Sequence, residues 1–259
     1  LLEPQCVTTR GSVLRAMALS PAAPLLAVSS QQQVLLVDTA KAELCGVLAF
    51  PEGEPQSLSF TPDGRFLLVA GGVQGKSGTL VLFDVVSGSR SAVIGREVDV
   101  ILSADVRPQL DVFFTGSPSR LLKAWQSGQD EPLRVVKKHP DWLVALDVSP
   151  DGVLLATADR VGGIMTWEAQ SGAEYFPLRG HQAMITGLAF RPDSNVLASA
   201  SEDKSVRIWD MQDGKQVKQW DAHGGGVTAL SWSADGCLAT VGRDRCLLYT
   251  SDAADEEDS

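Results

Sequence analysis

Apolar residues in this chain come in short runs that are β-branched or small, such as "VLASAS", "VRIWD" and "GLAFRP". Each run is bounded by Pro-Asp, Asp-Gly or Ser-Gly. None extends at helical spacing, so the pattern predicts short strands joined by tight turns. Pro-Asp-Gly suits such a turn because proline presets its φ, aspartate bonds back to the backbone and glycine accepts positive φ.

The pattern repeats. Five stretches follow one plan: an apolar strand, a Pro-Asp-Gly-like turn, a small-residue strand, then a strand ending in an apolar or aromatic residue and a polar or acidic one. The turn positions Pro21, Pro62, Pro108, Pro150, Pro192 and Ala234 are 41, 46, 42, 42 and 42 residues apart. The strand-ending residues Val37, Phe83, Trp125, Trp167 and Trp209 are 46, 42, 42 and 42 apart. Two markers with one period define tandem units of three or four strands, the size of a propeller blade. The expected fold class is all-β: a β-propeller fragment of five four-stranded blades plus a broken sixth, which implies a parent with more blades.

Composition agrees with that reading. At 44% hydrophobic over 259 residues the chain can bury a core, and 24 Gly with 13 Pro supply many turns. No apolar run is long enough to span a membrane. The formal charge is −10. Five acids (Asp252, Asp255, Glu256, Glu257, Asp258) follow the last basic residue, Arg245, so residues 1–245 hold 22 basic against 27 acidic residues, or −5. An acidic body argues against a nucleic-acid ligand. Cys6, Cys45, Cys237 and Cys246 have no metal or redox spacing and read as small buried hydrophobes.

The stretch "LRGHQAMITGLAFRPDSNVLASASEDKSVRIWD" (178–210) resembles a WD-repeat, and the likeness spans nearly all of residues 12–245. The resemblance implies a seven-bladed parent and a buried structural tetrad of His181, Ser199, Asp203 and Trp209. Other units carry partial tetrads: His139, Thr157 and Trp167 in one, His223, Thr240 and Asp244 in another. In the first of these Val161 stands at the Asp position and Asp159 lies two residues early. The unit with Thr115 and Trp125 has Ser119 at that place and no preceding His, and the first two units, with no Trp, are left to apolar packing. "AGGVQGKSGTLVLFD" (70–84) and "KHPDWLVALDVSPDG" (138–152) are also similar to bacterial planctomycete-type WD-repeat proteins, often fused to a c-type cytochrome domain. That likeness implies an extracytoplasmic place; without it the place is cytoplasmic.

Chemistry beyond scaffolding is thinly represented. His139, His181 and His223 recur every 42 residues, one per unit, which separates them too far to share a metal. "GGVQGKSG" (71–78) contains a Gly-Lys-Ser, but it precedes a strand, where a phosphate loop must open a helix. It reads as a long hairpin loop, an exposed insertion in which Lys76 is a possible partner contact. Trp142, at a loop-to-strand entry, reads either as rim packing or as a second partner contact. Glu97, Asp99 and Asp141 are the only acids near strand starts where a channel metal would need ligands.

The expected function is a non-catalytic scaffold for a protein partner or an adjoining domain, with no catalytic, cofactor or metal residues and no small-molecule substrate. The alternative is the accessory propeller of a c-type cytochrome-containing redox protein. Residues 1–245 form the propeller domain and 246–259 a non-native tail, because "CLLYTSDAADE" (246–256) resembles a translated sequencing adapter. Thr250 and Ser251 stand where the period places Trp and Asp.

Overall fold

The structure, a computed structural model, describes residues 14–109 and 111–250. The expectations on Cys6 and on the acids after Ser251 lie outside those residues. Among the described residues there are strands and turns and no helix.

Six sheets follow one another along the chain. The first holds β1 (Met17–Leu19), β2 (Leu25–Ser30), β3 (Gln33–Asp38) and β4 (Glu43–Ala49). The second holds β5 (Glu54–Phe60), β6 (Phe66–Val73), β7 (Ser77–Asp84) and β8 (Arg90–Glu97). In the third are β9 (Ser103–Val106), β10 (Phe113–Gly116), β11 (Leu122–Trp125) and β12 (Arg134–Val136). The fourth comprises β13 (Leu143–Val148), β14 (Leu154–Asp159), β15 (Ile164–Glu168) and β16 (Glu174–Leu178). The fifth comprises β17 (Ile185–Phe190), β18 (Val196–Ser201), β19 (Ser205–Asp210) and β20 (Gln216–Asp221). The sixth has three described strands, β21 (Val227–Trp232), β22 (Leu238–Gly242) and β23 (Leu247–Thr250). Every strand bonds to its neighbour in sequence, the up-and-down plan of propeller blades.

The chain divides into two compact units. Of the described residues, the first takes those up to Val106 with Phe113–Thr115 and Ala124–Leu133; the second takes those of Arg107–Val112, Gly116–Lys123 and from Arg134 to Thr250. In the first unit β5 lies beside β1 and β2, and β9 beside β5 and β6. Its core joins Ala27, Leu36 and Leu48 to Leu67, Val69 and Phe83. In the second unit β13 neighbours β17, and β17 neighbours β21. One cluster there packs Ala156, Ala158 and Ile164 against Phe190, Leu197 and Trp209; another packs Ala198, Ala200 and Val206 against Val227 and Leu238.

The second strand of each sheet is covered on both faces, which explains its composition. β14 and β18 are buried along all but their first residue, and their alternating Ala with Ser or Thr keeps neighbouring sheets close. Four of the first strands share another device, a β-bulge after their opening residues. The register shifts between Pro55 and Ser57, Leu143 and Ala145, Ile185 and Gly187, and Val227 and Ala229.

Two expectations change here. The Gly-rich segment is not a long loop. β6 and β7 each run eight residues, against six for β18 and β19, so the four extra residues of the 46-residue spacing lengthen the strands. Only a short turn, with Lys76 exposed, joins them. The glycines are there because backbones meet. A Cβ on Gly71 would stand 2.1 Å from Glu54 O, and one on Gly78 2.2 Å from Asp99 O. The second change concerns cysteine: Cys45 and Cys246 are exposed and Cys237 half-buried, all three as free thiols.

Strand β23 keeps the period without its side chains. Leu238 faces Thr250 as Leu197 faces Trp209, so Thr250 takes the indole's place. Leu247, Leu248 and Tyr249 are exposed, whereas the aligned β19 buries Ser205, Val206 and Trp209.

Replacing Gly71 by Ala forces backbone apart in the lengthened hairpin and is expected to cost about 1–3 kcal/mol. Lys76→Ala at its tip should stay within about 0.5 kcal/mol. Urea unfolding of both variants checks the contrast through the transition midpoints.

Candidate functional site

The second and third strands of the third, fourth and fifth sheets place a hydroxyl and an indole side by side. In the fifth sheet the Trp209 Nε1–H donates to Ser199 Oγ at 2.9 Å. Ser199 Oγ lies 2.8 Å from His181 Nε2, and His181 Nδ1 lies 2.8 Å from Asp203 Oδ2. Asp203 is held in turn by the Ser205 hydroxyl at 2.7 Å and by the Ser205 and Gln182 amides at 3.0 and 3.1 Å. Every buried donor and acceptor in the chain finds a partner when Nδ1–H donates to the carboxylate and the serine O–H donates to Nε2.

Electrostatics favour that protonation. Burial pushes the His181 imidazole below its usual value, and Asp203 only partly offsets the effect. Burial alone would raise the Asp203 carboxyl. The hydrogen bonds from Ser205, His181 and the amides outweigh it and hold the group well below the ordinary carboxylate range.

The fourth sheet builds the same arrangement by a different route. Trp167 Nε1 donates to Thr157 Oγ1 at 2.8 Å, and His139 Nε2 lies 2.8 Å from that hydroxyl. The carboxylate on His139 Nδ1, at 2.9 Å, belongs to Asp159 and not to the residue at the Val161 place. Asp159 is fully buried, and its Oδ1 accepts from the Val161 and Gly163 amides. The reason lies at Gly163, where a Cβ would sit 2.5 Å from Asp159 Oδ2. The aligned residue of the fifth sheet, Ser205, fills that space with a side chain.

The sixth sheet has His223 Nδ1 3.0 Å from Asp244 Oδ1 and Nε2 3.1 Å from Thr240 Oγ1, with no indole behind the hydroxyl. In the third sheet Trp125 Nε1 donates to Thr115 Oγ1 at 2.9 Å, and Thr115 Oγ1 donates to Glu97 Oε1 at 2.6 Å. Glu97 is buried and stands 42 residues before His139, in the histidine's place. Counting the period back from His139 would have found it. The first two sheets put Val28 and Val69 where Ser199 stands, and Val37 and Phe83 where Trp209 stands. Their cores are apolar there.

The acids considered as channel ligands are otherwise engaged: Asp99 Oδ1 accepts from the Gly75 amide at 2.6 Å, and Asp141 binds Trp142 N and Arg160. Among the described residues no group of three His, Cys, Asp or Glu is placed to hold a metal. Ser199 and Thr157 are completely buried with their hydroxyls committed, so neither is presented to a substrate.

The two residues expected as partner contacts, Trp142 and Lys76, both reach the surface. Trp142 is half-buried at the start of the fourth sheet, with the Arg160 guanidinium 4.4 Å above its ring. Arg160 also pairs with Asp141 at 3.3 Å, and the Trp142 amide, followed by Arg160, holds the Asp141 carboxyl below its ordinary value. The Arg160 amide donates to Trp142 O at 3.0 Å, which fixes the loop against the turn. Lys76 lies on the β6–β7 turn of the first unit.

Comparison with known families bears on the later part of the chain. Residues 172–210 and 214–249 each match the family model described as WD domain, G-beta repeat. These two stretches are WD40 repeats, and the second match extends through Tyr249. No curated protein matches the chain.

Asp159→Ala is expected to cost about 1–3 kcal/mol, because it strips a buried imidazole and two amides of their acceptor. Val161→Ala should change stability by no more than about 0.5 kcal/mol. Urea midpoints of the two variants decide which residue serves the fourth sheet. A second prediction follows from His181. It is neutral in the fold, while the unfolded chain protonates near pH 6.5, so its contribution is complete above that pH and falls as pH drops below it. The urea midpoint should therefore fall from about pH 7.5 to about pH 5.5, and fall less in His181→Asn.

Proposed function

We propose that this chain is a non-catalytic interaction scaffold whose loops, held by buried hydrogen-bond chains, present a protein-binding surface that includes Trp142. One observation carries the reading: His139 and His181, with the hydroxyls beside them, are committed inside the sheets, while Trp142 and Arg160 stay at the surface in fixed positions. The WD40 repeats add support, since such propellers typically serve protein interactions.

The finer readings are proposals of the same kind. The planctomycete-type likeness supports a seven-bladed parent fused to a c-type cytochrome domain, in which this chain is the accessory propeller. The adapter-like residues 246–256 support a non-native tail, although the repeat match covers the first four of them. One complete reading frame tests all three: a C-x-x-C-H motif beside the propeller sustains the fusion, and coding sequence running into a further blade sinks the tail.

For the scaffold reading, a partner captured on the chain is purified and its binding measured by calorimetry. Trp142→Ala is expected to weaken binding by about tenfold or more, about 1.4 kcal/mol, at an unchanged melting temperature. Failure of any purified protein to bind stoichiometrically, or equal binding by the variant, sinks the reading.

A further inference from the structure

Four successive sheets close their second and third strands with the same turn, and in each its fourth residue donates its amide to the first residue's carbonyl. The pairs are Arg120 to Ser117 at 3.1 Å, Gly162 to Asp159 at 3.4 Å, Lys204 to Ser201 at 3.2 Å and Arg245 to Gly242 at 3.2 Å. All lie in the second unit. The donor residue is left-handed every time, with φ of 66, 94, 77 and 65°. Only one of the four is glycine.

Other turns of the repeat treat this conformation differently. Between the first and second strands the left-handed place is Gly64, Gly152 and Gly236, with Ser194 the exception. Between the third and fourth it is Gly88, Gly172 and Gly214, with Ala42 the exception. Glycine adopts positive φ without steric cost, whereas a long side chain there crowds the backbone. A cation kept at three of four such places, where glycine would relax the turn, points to work done by the side chain.

That work is not internal. Among the described residues the side chains of Lys204 and Arg245 make no hydrogen bond or ion pair, and that of Arg120 only donates to Pro140 O at 3.3 Å. All three are exposed. Their neighbours at the second place of the turn, Arg160 and Arg243, have carboxylate partners in Asp141 and Glu202. The turn carboxylates Asp159, Asp203 and Asp244 are bound to histidines and amides below. Among the charged residues of these four turns, the three strained ones reach outward with no ion-pair partner.

We propose that the face of the second unit carrying Arg120, Lys204 and Arg245 docks an acidic segment of a partner protein. The proposal rests on the scaffold reading and names the partner's chemistry. Complementarity favours peptide carboxylates over a phosphate backbone. Three cations fall short of a nucleic-acid footprint, which needs a broad basic face on a chain that instead carries a formal charge of −10.

The test uses the full chain and a fluorescent Asp/Glu-rich peptide, with its Asn/Gln counterpart and an oligonucleotide of equal charge as controls. Binding of the acidic peptide alone, weakening with salt, is expected. The triple variant R120G/K204G/R245G should lose about tenfold or more in affinity while keeping its melting temperature, since glycine takes the same φ. The triple Gln variant, which keeps the crowded backbone and removes only charge, should lose as much. Unchanged binding by either variant, equal binding of the neutral peptide, or tighter binding of the oligonucleotide would overturn the proposal. A protein complex that needs Trp142 but not these cations would also overturn it, and would leave the scaffold reading standing.

Discussion

An indole N–H, a hydroxyl, an imidazole and a carboxylate, joined end to end, tie four parts of a repeat together. In the fifth sheet the chain of bonds runs from β19 to β18, then to the loop before β17 and to the turn that follows β18. Its position beneath the turns matters because a loop pinned by buried polar groups has few alternative positions. Breaking one bond leaves the others unpaired in a low-dielectric interior, so the set acts as a unit. The strained turns and the Trp142–Arg160 contact both hang on loops held this way.

The first two sheets reach comparable burial by other means. Where the later sheets carry a hydroxyl and an indole they carry valine with valine or phenylalanine, and Leu36, Leu67, Val69 and Phe83 join a single apolar cluster. Apolar contact is tolerant of direction and hydrogen bonding is not. The polar sheets therefore specify loop geometry more sharply than the apolar ones, and the surface features singled out above belong to the polar ones.

Much of this was legible in the sequence because one period governs it. A repeat of 42 residues fixes where every turn and strand must fall, and the six sheets sit where it places them. What the period hid were substitutions that conserve a role while moving it. Asp159, the last residue of β14, works from two residues away because Gly163 vacates the space its carboxylate fills. Glu97 replaces a histidine with an acceptor of another shape. The glycines near Lys76 signalled close backbone approach, a cause that composition cannot tell from looseness. The left-handed cations were also silent, since arginine and lysine carry no turn signature.

The exchange between Asp159 and Gly163 sets a limit on how this repeat can evolve. A side chain restored at 163 meets the Asp159 carboxylate at 2.5 Å, and an aspartate added at 161 alone would bring a second anion to an imidazole already served. Neither single step toward the fifth sheet's solution is open while the other residue stays as it is. The two positions are epistatic, so recombination between neighbouring repeats preserves the core only where its crossover falls outside 159–163. The tandem units share an ancestry in pattern, yet they have ceased to be interchangeable parts.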